Sequence, residues 1–190
     1  QHLAVMNRLQ AHRGPDGECH WIEGGVGLGH RRLAIIDLSP LGHQPMISAD
    51  HRYAFSYNGE IYNFRELRVE LEAVGYSFRS KTDTEVVLYA LAHWGTAALE
   101  RFNGMFAFAL WDRKERRLLL ARDRYGIKPL YVARQGGCLW FASEQKAILA
   151  GVVDEESGAS STLGVRYLLD SSQLPVQGAI YTYTSDIICI

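Results

Sequence analysis

Strand-like segments occur in adjacent pairs along this chain, and this pairing constrains the fold more than any other feature of the sequence. Large apolar residues alternate with alanine within 105–111, an apolar segment follows over 118–122, and only the charged connection 112–117 separates the two. A second pair, 130–133 and 138–142, is separated by a Gln-Gly-Gly turn. Connections this short join antiparallel neighbours, whereas parallel neighbours need a crossover between them. The sequence therefore predicts an α+β fold with antiparallel sheets.

Amphipathic helices are predicted between these strands. The segment 64–74 carries apolar residues at helical spacing and ends before Gly75, which can adopt the positive φ of a helix C-cap. The next helix begins with the capping-box pattern Thr-Asp-Thr-Glu at 82–85 and ends at Gly95. Shorter helices are predicted over 1–9 and from Ser143 onwards, and further strands over 26–30, 33–37 and 53–56.

Charge and composition exclude several classes of function. Twenty basic and twenty-one acidic residues give a net charge of −1 over 190 residues, so neither nucleic acid nor a membrane surface is predicted as a partner. No apolar run reaches membrane-spanning length, and the N-terminus lacks a signal-peptide layout. The three cysteines, Cys19, Cys138 and Cys189, are odd in number and far apart, which argues against a disulfide framework. A reducing, cytoplasmic setting fits these observations.

The Asn58-Gly59 pair follows the strand predicted over 53–56 and has two interpretations. Asn-Gly at the end of a strand is usually a tight turn, because glycine accepts positive φ and asparagine tolerates it. Alternatively, the Asn58 amide and the Gly59 N–H form an oxyanion hole with Glu60 beside it, since neutral donors fixed in place stabilise a developing negative charge. These residues alone favour the turn.

Arg32 and Asp83 also have a structural and a functional interpretation. Adjacent arginines, here Arg31-Arg32, usually mark a solvated strand edge, but one of them at the end of a buried strand can clamp a carboxylate bidentately. Asp83 lies at a predicted helix N-terminus, where a carboxylate is favoured in any case. The same position suits a carboxylate that receives a ligand ammonium group. The turn-rich loop at 12–17 is equally compatible with a structural and a functional role.

Seven short motifs occur along the chain in a specific order. They are HRGPDG at 12–17, GHRRLAIID at 29–37, HQPM at 43–46, YNGEIYN at 57–63, TDTEV at 82–86, NGMFAF at 103–108 and ARDRYGIKPLY at 121–131. Each motif is weak by itself, whereas their order and spacing together are highly specific. From about His12 to about Ala150, the chain resembles the class II glutamine amidotransferase domain of glutamine-hydrolysing asparagine synthetases.

This resemblance implies the fold and the domain organisation. The expected fold is that of the N-terminal-nucleophile hydrolases, a four-layer α/β/β/α sandwich with two antiparallel sheets. Residues 1–150 are expected to form the type II amidotransferase domain without its N-terminal strand. Residues 151–190 are expected to be a linker and a C-terminal tail, and whether this part is native is left open.

The resemblance also implies how the substrate, L-glutamine, is held. Arg32 takes its α-carboxylate, and Asp83 and Glu60 take its α-ammonium group. Asn58 and Gly59 supply the oxyanion hole for attack on the side-chain amide, and they are the catalytic residues expected in this chain.

Further roles follow from the same resemblance. Leu33 and Ile36 are expected to line the glutamine pocket, and Arg13 and Met105 to lie towards the route by which ammonia leaves. No cofactor and no metal site are expected in this domain. A structural role is expected for two further acidic residues, Asp123 and Glu144.

The family nucleophile is a cysteine at the very N-terminus, whose free α-amino group serves as the base. This chain begins with Gln1, and the positions of its three cysteines do not match that role. The expectation is therefore that these 190 residues alone do not hydrolyse glutamine. No pyrophosphate loop for ATP is found either, so ATP, Mg²⁺ and aspartate are expected to bind a missing synthetase domain, normally on the same polypeptide. A homodimer is the candidate assembly of the full-length enzyme.

Two alternatives remain open from the sequence. One is a non-catalytic module of the same fold that binds an amino acid or a partner. The other is an amidotransferase that acts on another carboxylate acceptor. The loop at 12–17 and the motif at 29–37 favour the asparagine synthetase branch over sugar-phosphate and purine-pathway amidotransferases. A Met-Cys-Gly start upstream of Gln1 would favour the enzyme over the non-catalytic module.

Overall fold

The computed structural model describes residues 1–135, 137–152, 166–167 and 180–183. The helices are α1 (His2–Leu9), α2 (Phe64–Ala73), α3 (Asp83–Trp94), α4 (Ala98–Arg101) and α5 (Gln145–Val152). The strands are β1 (Gly17–Glu23), β2 (Val26–Arg32), β3 (Met46–Ile47), β4 (Tyr53–Ile61), β5 (Gly104–Asp112), β6 (Arg117–Arg122), β7 (Tyr131–Gln135), β8 (Cys138–Ala142), β9 (Arg166–Tyr167) and β10 (Ile180–Tyr183). Short 3₁₀ turns lie at Ala11–Arg13, Pro40–Gly42 and Gly95–Ala97.

The strands form three antiparallel groups. The largest is a five-stranded sheet with the order β10-β6-β5-β4-β3. β1 pairs with β2, and β7 lies between β8 and β9. Both hairpins read from the sequence, β5-β6 and β7-β8, are present, so the predicted α+β class with antiparallel pairing is confirmed.

Three apolar clusters arrange these elements in four layers. The first lies between one face of the five-stranded sheet, including Phe55 and Phe108, and helices α2 and α3. The second lies between the opposite face, including Trp111, and strands β2, β7 and β8. The third joins the outer face of β7 and β8 to α1 and α5. The order helices, sheet, strands, helices confirms the predicted α/β/β/α sandwich.

Two strand predictions near the motifs were wrong. β4 does not stop before Asn58-Gly59 but continues to Ile61, so the pair is not a turn. Its partner β5 continues alongside, with Asn58 opposite Ala107 and Gly59 opposite Phe106, and this ladder keeps the chain extended.

The segment 33–37 is not a strand. β2 ends at Arg32, which lies opposite Gly17, the first residue of β1, so no partner strand continues beyond this point. Side-chain contacts hold the loop instead, for Asp16 Oδ2 accepts a hydrogen bond from the Ala34 N–H at 2.8 Å. The strand β1 was missed because it is mostly exposed and lacks an alternating apolar pattern.

The C-terminal part contributes two short strands in the described ranges. Ile180–Tyr183 pairs with β6 at the margin of the five-stranded sheet, and Arg166–Tyr167 pairs with β7. The linker predicted at 154–162 lies outside the described residues. Within the described ranges, none of the helices combines the length and hydropathy needed to cross a bilayer.

Candidate active site

A cavity of about 540 Å³ opens between the five-stranded sheet and the layer that contains β2. Small side chains on the inner sheet face, Ala107 and Ala109 of β5 together with Ser56 of β4, leave this space. The lining includes eight of the residues predicted from the sequence: Arg13, Arg32, Leu33, Ile36, Asn58, Gly59, Glu60 and Asp83. The lining does not include Met105, which lies opposite Glu60 in the β4-β5 ladder.

Arg32 is the last residue of β2, and only 9% of it is exposed. Its Nη2 donates a hydrogen bond to the carbonyl oxygen of Asp37. The loop also leaves room for the guanidinium at Gly42, where an added Cβ would lie 2.6 Å from Nη2. A guanidinium carries five N–H donors, so this bond leaves donors for a bidentate contact with a carboxylate.

The carboxylate of Asp37 fixes the loop that holds Arg32. Its Oδ1 accepts from the Ser39 N–H and its Oδ2 from the Lys81 N–H, at 2.8 and 2.9 Å. The hydrogen bond from the Lys81 N–H, followed by those from the Ser39 hydroxyl and N–H, lowers the pKa of Asp37 to about 2. Because Lys81 precedes helix α3, Asp37 ties the Arg32 loop to the segment that carries Asp83.

Protonating Asp37 is expected to release this loop at low pH. The folded-state pKa of about 2 lies below the ordinary value of 3.8, so the carboxylate stabilises the loop above about pH 4 and progressively less as the pH falls towards 2. The Ser39 and Lys81 amide proton shifts should therefore titrate with a midpoint near 2, and Asp37→Ala should abolish this titration. A midpoint at the ordinary value would contradict the assignment.

Asp83 is the first residue of α3 and is buried, with 4% exposed. Thr82 caps the helix by accepting a hydrogen bond from the Glu85 N–H at 3.2 Å. The Asp83 Oδ2 accepts from the Tyr57 hydroxyl at 2.8 Å and from the Ile61 N–H at 3.0 Å. Burial raises the pKa of Asp83, whereas these two donors and the helix N-terminus favour its charged form.

The capping box predicted at 82–85 is only half formed. The Glu85 carboxylate does not return to the Thr82 N–H but accepts from the N–H and hydroxyl of Ser80, both at 2.7 Å, and from the Arg79 N–H at 3.1 Å. Glu85 therefore fixes the segment that precedes α3 and, through it, the position of Asp83.

The edge of β4 that faces away from β5 presents backbone donors to the cavity. N–H groups two residues apart point to the same edge of a strand. On this edge the Tyr57 N–H donates to Gln44 Oε1 at 2.6 Å, and the Ile61 N–H donates to Asp83. Strand β3 pairs with β4 only at Ala54 and Phe55, so it does not extend to Gly59. The Gly59 N–H therefore points into the cavity between two occupied donors.

Several cavity residues were missed by the sequence reasoning. His30 Nδ1 lies 3.3 Å from Ser56 Oγ, and the Ser56 hydroxyl donates to the Gly29 carbonyl at 3.2 Å. Burial, together with the nearby Arg32 charge, lowers the pKa of His30 to about 4, so the ring is neutral at pH 7. Its place in the GHRR motif was the available signal, but only the β2-β4 packing shows that it lines the cavity.

Glu144 holds the loop that carries Arg13 at the cavity. Its Oε1 contacts His12 Nε2 at 2.8 Å and Arg13 Nη1 at 3.3 Å, and its Oε2 contacts Lys146 Nζ at 2.9 Å. These contacts join the chain segment after α1 to the start of α5.

Neither described cysteine lines the cavity. Cys19 is exposed on β1, and Cys138 is half-buried at the start of β8. Cys189 lies outside the described residues.

Comparison with known proteins identifies relatives of this chain. A family model for a glutamine amidotransferase domain matches residues 1–185. The chain is 44% identical over 154 residues to glutamine-hydrolyzing asparagine synthetase 1 of Bacillus subtilis, covering 81% of this chain and 24% of that protein. It is 39% identical over 174 residues to the amidase chry2 of Gibberella zeae, covering 90% of this chain and 26% of that protein. The chain thus spans about a quarter of the length of these curated relatives.

A solved structure shares the fold. Glutamine phosphoribosylpyrophosphate amidotransferase from Bacillus subtilis, complexed with ADP and GMP, is similar with a TM-score of 0.57 and 24% identity. The match covers 75% of this chain and 30% of that one. At this identity the likeness concerns the fold alone, and it agrees with the predicted N-terminal-nucleophile hydrolase sandwich.

Proposed function

The chain belongs to the class II glutamine amidotransferase domains of asparagine synthetase-like proteins, and from this premise we propose that its cavity binds L-glutamine for hydrolysis to glutamate and ammonia. The observation that carries the proposal is the presence of Arg32 and Asp83 in the lining of one cavity. A free amino acid is a zwitterion, so a guanidinium and a carboxylate match its two charged groups. Glu60, in the same lining, is the second anion for the ammonium group.

Asn58 and Gly59 supply the donors for the reaction itself. The Gly59 N–H points from the open part of the β4 edge into the cavity, and the Asn58 amide is the neighbouring neutral donor. When the side-chain amide of glutamine is attacked, its oxygen gains negative charge, which such donors stabilise. Leu33 and Ile36, from the loop after β2, line the same cavity and complete the pocket.

The attacking nucleophile is not supplied by Cys19 or Cys138, since neither lines the cavity. We therefore expect the 190-residue chain to bind glutamine without hydrolysing it. A glutaminase assay that detects glutamate release by this chain would contradict this expectation.

Ammonia from this site would serve a second reaction. The curated relatives extend well beyond the length matched here, and we propose that the corresponding part of the full protein is a synthetase domain that uses ATP and Mg²⁺ to amidate aspartate. Arg13 at the cavity and Met105 beside Glu60 are the proposed residues on the ammonia route. Amidation assays of the full-length protein with aspartate and alternative carboxylates would identify the acceptor.

Removing either charge is expected to weaken glutamine binding strongly. Charged hydrogen bonds contribute about 1.5–3 kcal/mol, so Arg32→Ala and Asp83→Ala should each raise the Kd roughly tenfold or more. Isothermal titration calorimetry measures this change. Arg113→Ala is the matched control, because Arg113 pairs with Glu23 on the surface and does not line the cavity. Unchanged affinity in both cavity variants would refute the assignment of the site.

A further inference from the structure

Tyr57 approaches Asp83 from the helix-facing side of the five-stranded sheet. It is 3% exposed, and its ring stacks on Phe55 with a centroid distance of 5.8 Å. Both rings belong to the apolar cluster beneath α3, so the hydroxyl is fixed 2.8 Å from Asp83 Oδ2. Burial and the Asp83 charge raise the pKa of Tyr57 well above its ordinary value, so the hydroxyl stays protonated and donates.

The surroundings of Asp83 leave its negative charge available for a ligand. The Tyr57 hydroxyl and the Ile61 N–H are neutral donors on the same oxygen, and the backbone N–H groups of Thr84 and Asp83, which also favour its charged form, are neutral as well. A carboxylate has about four lone-pair sites, so the other oxygen can accept from an ammonium group. Lys81 and Glu85 flank it on its own segment, and the other titratable or charged groups in the lining of the cavity are His12, Arg13, His30, Arg31, Arg32, Asp37, Glu60 and Lys128.

We propose that Tyr57 is a positioning residue that keeps Asp83 ionised and oriented to bind the ammonium group of glutamine. This inference rests on the proposed function of the cavity. The physical basis is that burial favours the neutral carboxylic acid, whereas a neutral carboxyl would not attract a cation. A hydroxyl donor fixed by core packing opposes the effect of burial and selects one carboxylate orientation.

Tyr57→Phe tests the proposal because it removes one hydroxyl and keeps the ring in the core. Glutamine should bind about tenfold more weakly to the variant, because a hydrogen bond to a charged group is lost from the binding-competent state. Glutaramic acid, which keeps the amide and the carboxylate but lacks the ammonium group, should bind both proteins equally. Tyr89→Phe, a buried aromatic change on α3, should leave both affinities unchanged.

The pH dependence separates positioning from a purely structural role. Loss of the Tyr57 hydroxyl should raise the pKa of Asp83, so the variant should lose glutamine affinity at a higher pH than the wild type as the solution is acidified. The Asp83 side-chain carboxyl signal, followed by carbon NMR in the free protein, should show the same upward shift without any ligand.

The outcomes distinguish this inference from the proposed function. If the wild-type chain binds glutamine and Tyr57→Phe changes neither the affinity nor the Asp83 titration, the role of Tyr57 is refuted while the site stands. If the wild-type chain does not bind glutamine, the proposed function fails and the positioning role falls with it. Equal weakening for glutamine and glutaramic acid would indicate a general disturbance and would also overturn the inference.

Discussion

Gly59→Ala is expected to lower the free energy of unfolding by about 3 kcal/mol and to abolish glutamine binding. A Cβ at this position would lie 2.4 Å from the Met105 carbonyl oxygen and 2.8 Å from the Phe106 Cα, both in the backbone of β5. Backbone atoms in the middle of a sheet cannot rotate away, so β4 and β5 would have to separate. The same separation would displace the Gly59 N–H from the cavity.

Gly17→Ala is the matched control for this substitution. Gly17 also lies in a strand, but there the nearest atom to an added Cβ is the Arg32 Cβ at 3.7 Å, an ordinary contact. Chemical denaturation of both variants gives the comparison. If Gly59→Ala were as stable as Gly17→Ala, the close approach of the two strands would be wrong.

Asp123→Ala is expected to cost about 4 kcal/mol of folding stability, because buried donors left without acceptors each carry a substantial penalty. Asp123 is 3% exposed, and its carboxylate accepts four backbone N–H groups at 2.9–3.1 Å. The donors are those of Phe106, Tyr125, Ile127 and Lys128. One side chain thus fastens the loop after β6 to the β5 residue that faces Gly59.

Asp16→Ala provides the comparison for a single bond. Asp16 accepts the Ala34 N–H from an exposed position, so its loss should cost about 1 kcal/mol or less. Asp123→Asn keeps one acceptor oxygen, so its loss of folding stability, measured by thermal and chemical denaturation, should lie between those of the two alanine variants. Equal losses for Asp16→Ala and Asp123→Ala would contradict the role assigned to Asp123.

The sequence predicted the architecture where the periodicity was strong. The hairpins β5-β6 and β7-β8 and the helices α2 and α3 were recognised because apolar spacing and glycine stops agree within each segment. Asn58-Gly59 by itself favoured a turn, because local preference cannot show a partner strand whose residues Ala107 and Phe106 lie 49 and 47 positions further along the chain. The pairing of β4 with β5 overrides that preference.

The site was predicted mainly from the order of its motifs. Local chemistry alone favoured structural interpretations of Arg32 and Asp83. An arginine pair is usual at a solvated strand edge, and a carboxylate is favoured at a helix N-terminus. Gln44, His30 and Ser56 were not anticipated, because their role depends on which strand edge or face lies opposite. These facts follow from register and layer packing, which no local pattern encodes.

The open edge of β4 beyond Phe55 has a consequence for strand pairing as well as for binding. Unpaired strand margins ordinarily invite intermolecular pairing and self-association, and proteins shield them. Here the donors at positions 57, 59 and 61 point inward, and side chains from two other segments occupy the outer two. The Gly59 N–H between them can therefore meet a single ligand atom, whereas an added strand would also need the two donors that Gln44 and Asp83 already occupy.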